Sequence, residues 1–159
     1  MTNGDGDMKI RISIFILVFA LLLCSCGTNE VKYDKVSIGM TYEEFHSFMD
    51  GKDVFSYGHY AFWTDENGNE IVVRFSNPEL KIDRIEHFPR QGAKPTSEDF
   101  EKISVGMDMF DVVERVGKPF RSVTSGLMTL DFLAEDETVY RVSFDTTDIY
   151  KVIEWYVVK

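Results

Sequence analysis

Apolar residues form one dense run, Ile12 through Leu23, and then two helix-spaced stripes, each followed by segments that alternate like strands. The first stripe is Tyr42, Phe45 and Met49; the second is Met109, Val112, Val113 and Val116. Intervals of three and four residues put each set on one side of an α-helix. Both helices open on a cap. Thr41-Tyr42-Glu43-Glu44 reads as a capping box with Met40 and Phe45 as its hydrophobic staple, and Asp108, Asp111, Met107 and Val112 repeat the logic. Gly51 and Gly117 end the helices, and Pro119 blocks continuation of the second.

Strand-like segments follow each helix. Tyr57 through Thr64, Glu70 through Phe75 and Lys81 through Phe88 are rich in aromatic and β-branched residues, with a hairpin signal at Glu66-Asn67-Gly68-Asn69 and a turn at Ser76 through Glu79. Later come Leu127 through Ala134, Thr138 through Asp145 and Ile149 through Val158. Ile71, Val73 and Phe75 alternate with Glu70, Val72 and Arg74, and Tyr140, Val142 and Phe144 with Val139, Arg141 and Ser143. Each sheet is therefore expected to have one apolar face, covered by helices, and one mixed face open to solvent or a partner.

The order of elements occurs twice because the chain is duplicated. Lys35-Val36-Ser37-Ile38-Gly39-Met40-Thr41 recurs as Lys102-Ile103-Ser104-Val105-Gly106-Met107-Asp108, and Ile85-Glu86-His87-Phe88 answers to Ile153-Glu154-Trp155-Tyr156. A duplication fixes the architecture before any residue has a role. Units of about 65 residues are marginal alone, so the two are expected to share one sheet and one core. The expected class is α+β: two helix-plus-antiparallel-sheet repeats, residues 33–90 and 98–159, joined by a linker at 91–97.

Met8-Lys9-Ile10-Arg11 supplies a positive start and Ile12 through Leu23 an apolar run of signal-peptide length, short for a membrane span. Leu23-Cys24-Ser25-Cys26-Gly27 resembles a bacterial lipobox, with Ser25 before the cleavage site and Cys26 as the lipid-modified residue. Residues 1–25 then form a lipoprotein signal peptide and 26–32 a tether. Two acids in Met1 through Asp7 fit poorly ahead of such a leader, which favours a start at Met8. With Cys26 acylated, no internal disulfide is available and the core alone must hold the fold. The expected location is the bacterial cell envelope, lipid-anchored, in the outer membrane and periplasm or at the cell surface.

A formal net charge of −10 excludes nucleic acid as a partner, since an acidic domain is repelled by phosphate. Chemistry is sparse. His46, His59 and His87 fall on a helix, a first strand and a last strand, and no His-Glu spacing resembles a zinc site. No Ser or Thr sits in a nucleophile elbow. Neither a cofactor nor a metal is expected, and the chain reads as a non-enzyme.

Aromatic residues make up 14% of the chain, with Tyr57, Tyr60, Phe62, Trp63, Trp155 and Tyr156 clustered in strands. Tyr and Trp are favoured anchors at protein interfaces. Alternation places Tyr60 and Phe62 on the open face and Trp63 on the covered one. The repeats differ at Tyr60, Phe62 and Arg74 in one and at Thr129, Asp131 and Arg141 in the other. Tyr60, Phe62, Arg74 and Arg141 are the candidate partner-binding residues.

The Gly-Met turn, the capped helix ending near Gly-Lys-Pro, and the aromatic-rich antiparallel strands, twice over behind a lipobox, together resemble the β-lactamase-inhibitor-protein-like fold. Small outer-membrane assembly lipoproteins of the SmpA/OmlA type share that unit. The resemblance implies a helix-loop-helix plus sheet in each repeat, the sheets joined edge to edge into one continuous antiparallel sheet, and a concave face that grips another protein. The leading expectation is a non-catalytic envelope lipoprotein that binds another envelope protein. The alternative is a sensor or carrier of a small ligand or peptidoglycan fragment.

Overall fold

The computed structural model describes residues 35–90, 92–124, 127–146 and 150–158. The leader, the tether and Cys26 lie outside the described residues. Residues 34–159 form one compact unit. Its elements are α1 (Tyr42–Met49), β1 (Val54–Tyr57), β2 (Tyr60–Thr64), β3 (Glu70–Phe75), β4 (Ile82–Phe88), α2 (Ser97–Glu101), α3 (Met109–Val116), β5 (Arg121–Thr124), β6 (Met128–Leu133), β7 (Val139–Phe144) and β8 (Val152–Val157).

Both helices start as their caps dictate. The Glu44 amide donates to Thr41 Oγ1 at 3.3 Å while the Thr41 amide donates to the Glu44 carboxylate at 2.8 Å. Asp108 and Asp111 make the same reciprocal pair at 2.9 and 3.1 Å. The two Gly-Met turns are latches. Gly39 donates to the Ile82 carbonyl at 2.7 Å, and the Ile82 amide donates back to the Met40 carbonyl at 2.8 Å; Gly106, Val152 and Met107 repeat both bonds at 2.8 Å. Gly39 and Gly106 hold φ of +88° and +92° with open space around an added Cβ, so the glycine serves the backbone rather than close packing.

Hydrogen bonding joins the strands in two groups of four, β1-β2-β3-β4 and β5-β6-β7-β8, each a purely antiparallel meander. This departs from the edge-to-edge continuous sheet that was expected. Each group has four strands where three were expected. Gly58-His59 interrupts the expected Tyr57–Thr64 segment as a turn, so Val54–Tyr57 pairs back onto Tyr60–Trp63. Both meanders slip register at one place, between Arg74 and Phe75 and between Ser143 and Phe144. Matching those bulges aligns the units residue by residue. Phe62 then corresponds to Asp131, Val72 to Arg141, Tyr60 to Thr129, Arg84 to Glu154 and Glu86 to Tyr156, which moves the last-strand match two residues from the Ile85–Ile153 pairing expected from the sequence.

On one face of the first sheet, Trp63 and Phe75 meet Phe45 of α1, with ring centroids 5.8 and 5.4 Å apart. The other face carries Tyr60, Phe62 and Val72, which belong to a single hydrophobic cluster with α3 and with Leu130, Phe132, Val142 and Phe144 of the second sheet. Phe110 of α3 reaches Tyr60 at 5.6 Å. Met109, Val112 and Val116 stand where α1 has Tyr42, Phe45 and Met49, the side turned to its own sheet. Helix α3 therefore contributes to both sheets, whereas α1 serves one.

Polar groups fix that junction. The Arg84 guanidinium lies 3.8 Å over the Phe110 ring and 3.3 Å from the Asp108 cap. Arg90 donates to the carbonyls of Val113, Glu114 and Arg115, supplying partners for the exposed C-terminal end of α3. Glu70 sits 3.6 Å from Arg90, and burial raises its carboxyl above the usual range.

Two expectations about surfaces are corrected. Tyr60 and Phe62 are 1% and 0% exposed, so neither is on an open face. Alternation separated the two faces correctly, but the second unit covers the face that a lone unit would have left open. Burial also pushes the Tyr60 phenol well above its ordinary range. The segment expected as linker ends in a helix, α2, whose Thr96 amide and hydroxyl both donate to Asp99 at 2.9 Å. That bonding holds the Asp99 carboxyl down to about 2.

Candidate functional site

The outer face of the second sheet, turned away from the hydrophobic cluster, is largely polar and charged along two adjacent rows. Direct register brings Arg121, Asp131, Arg141 and Tyr156 into one row across all four strands. Beside it runs Val123, Thr129, Ser143 and Glu154.

Asp131 is the centre of the first row. Its side chain is 0% exposed, yet it is covered by neighbours on the sheet surface rather than by depth. Arg141 donates from Nε and Nη2 to its two oxygens at 2.7 and 3.1 Å. Arg121 donates from Nε at 2.9 Å and again from Nη2. Desolvation alone would raise the Asp131 carboxyl, but the bonds from Arg141 and Arg121 outweigh it and hold the group below its usual range. The same contact, with Tyr156, raises Arg141. Its guanidinium lies 6.0 Å from the Tyr156 ring.

The second row is a relay of hydroxyls. Thr129 donates to Ser143 at 3.4 Å, and Ser143 donates to Glu154 at 3.3 Å. Across both rows these hydrogen bonds run within the sheet. The result is a rigid polar platform with exposed margins: Arg121 is 54% and Tyr156 45% exposed. Paired guanidiniums and an exposed phenol on fixed strands suit recognition of polar and acidic groups on a macromolecule.

The residues singled out from the sequence are dispersed. Arg141 is on this platform. Arg74 is on the first sheet, where it grips Asp83 with two bonds of 2.9 and 3.0 Å, and Tyr60 and Phe62 are core. Cys26 lies outside the described residues. Arg121 was not anticipated, because its strand was not recognised. Asp131 and Thr129 stand out in the sequence only as differences between the repeats.

The histidines do not converge. His46 packs 4.1 Å from the Tyr42 ring, His59 stands 6.1 Å from Tyr150, and His87 is exposed. Among the described residues no three His, Cys, Asp or Glu side chains are grouped to hold a metal ion, and no helix is long and apolar enough to cross a membrane. No family model matches the chain, and no curated protein matches it in sequence at a significant level.

Proposed function

We propose that this protein is a lipid-anchored lipoprotein of the bacterial cell envelope that acts without catalysis, binding another envelope protein through the outer face of its second sheet. The observation that carries the reading is the platform itself. Arg121 and Tyr156 are exposed beside an Arg-Asp-Arg row whose geometry is fixed before any partner arrives, which reduces the ordering cost of association. The leader and the lipobox ending at Cys26 support the anchor. A helix followed by an antiparallel meander, present twice, supports kinship with the β-lactamase-inhibitor-protein-like fold and the SmpA/OmlA type of assembly lipoprotein.

Site-specific photocrosslinking tests the face. With benzoylphenylalanine in place of Tyr156 in the full-length protein in its native envelope, ultraviolet light should yield an adduct with a second envelope protein. The same group at Asp111, exposed on α3, should not. No adduct from position 156, or the same adduct from both positions, refutes the reading. Cys26→Ala should release the protein from membranes, and retention would sink the lipid anchor.

A further inference from the structure

The two units meet head to tail, and that contact leaves matching surfaces over at each end of the pair. The outer face of the first sheet receives α3. The outer face of the second sheet is its counterpart. The side of α1 that corresponds to the Phe110 side of α3 carries Glu43, which is exposed. A heterologous contact that does not close on itself can add units without limit, and stacks of repeats stay soluble only when their end units present polar surfaces.

At the middle of the contact, both free surfaces have lost the apolar residues of the inner one, although Tyr156 stands where the first sheet has Glu86. Aligned on their caps, α3 has Phe110 and Val113 where α1 has Glu43 and His46. Aligned on their bulges, the first sheet has Phe55, Tyr60, Phe62 and Val72 where the second has Arg121, Thr129, Asp131 and Arg141. Arg84, which covers Phe110 in the inner contact, is replaced by Glu154. A second copy seated through α1 in the same way would place Glu43 against Glu154. It would also take the Arg121 and Arg141 guanidiniums, whose bonds to Asp131 are already made within the sheet, out of water, at a desolvation cost.

We propose that Glu43 and His46 at one end, and Arg121, Asp131, Arg141 and Glu154 at the other, are stack terminators that stop the protein from adding its own copies head to tail. The inference stands independently of the partner reading. Refusal is directed at an α1 helix seated like α3, so the face stays available to a partner of different chemistry.

The test transplants the inner contact onto the ends of the full-length protein in detergent micelles. One variant carries Glu43→Phe and His46→Val; a second carries Arg121→Phe, Asp131→Phe, Arg141→Val and Glu154→Arg. By sedimentation the wild type should remain a single copy, and an equal mixture of the two variants should form one-to-one pairs at least tenfold more tightly than wild type. All six changes in one chain should give concentration-dependent growth. Variants that unfold cooperatively, and so are folded, but do not pair overturn the proposal, as does wild type that crosslinks from position 43 of one copy to 154 of another. Should the four-site variant fail to fold, Glu154→Arg alone replaces the facing pair of carboxylates by a carboxylate and a guanidinium. It should raise 43-to-154 crosslinking above wild type, and no increase counts against the proposal.

Discussion

Phe55, Phe62, Val72 and Glu86 in the first sheet and Arg121, Asp131, Arg141 and Tyr156 in the second are the same four positions of one repeated unit, crossing equivalent strands in equivalent register. One row faces the core shared by both units; the other is an ion-paired surface. The difference teaches that burial here belongs to a unit's place in the pair rather than to the unit. Covering by a neighbour, and not strand pattern, decides whether the middle position is Phe or Asp.

The sharpest way to break the comparison is to move the residue of one row into the other. Phe62→Asp puts a carboxylate at a fully buried position whose paired neighbours are Phe55 and Val72, adding a buried charge to a lost aromatic. The expected cost is about 5 kcal/mol, enough to abolish most of the stability of a small domain. Urea denaturation followed by tryptophan fluorescence should show either a collapsed midpoint or no cooperative transition. A loss under about 1 kcal/mol would mean that the two rows are interchangeable.

A smaller effect is expected from the other side. Asp131→Asn leaves two guanidiniums without their shared anion. The expected cost near neutral pH is about 1–2 kcal/mol, allowing for the water around half-exposed Arg121. The sign of its pH dependence follows from the lowered carboxyl. Asp131 contributes stability above the ordinary carboxylate pKa of about 4 and loses it as pH falls below that. Thermal melts should therefore show wild type and Asp131→Asn converging as pH falls. Glu70, whose carboxyl is raised, runs the opposite way and is common to both proteins. A constant gap between the two proteins across that range would exclude the assigned role.

The smallest effect should be the same in both units. Gly39→Ala and Gly106→Ala each force a side chain into the left-handed region without meeting any neighbouring atom, for about 1 kcal/mol apiece. Unequal losses in equilibrium unfolding would show that one latch matters more than the other.

Local signals were readable in the sequence. The caps at Thr41 and Asp108, the local Ser37–Met40 and Ser104–Met107 bonds of the Gly-Met turns and the Asp65 to Asn69 hairpin all depend on residues a few positions apart. Val54–Tyr57 and Arg121–Thr124 escaped notice because short strands after a turn carry little periodicity. Thr96 and Asp99 offered a capping signal for α2 that the nearby Pro95 obscured. The fate of Tyr60 and Phe62 was not readable from alternation, which separates two faces without saying which a distant unit will cover. A clue did exist at Asp131. An acid in the middle of a strand, at the position of an aromatic in the sister repeat, marks a change of surroundings, though the arginines that explain it lie on other strands.

The latches carry a kinetic consequence. Gly39 and Met40 bond to Ile82, and Gly106 and Met107 to Val152, so each unit is tied at its opening turn by the strand that it completes last. Neither turn can lock as the chain leaves the ribosome, because its partner has not yet been made. Loop closure over an entire unit must be met before the reward arrives, and such non-local pairing slows folding. The most recognisable peptide in the chain is therefore a mark of near-completion: it is secured only once the last strand of its own unit has begun.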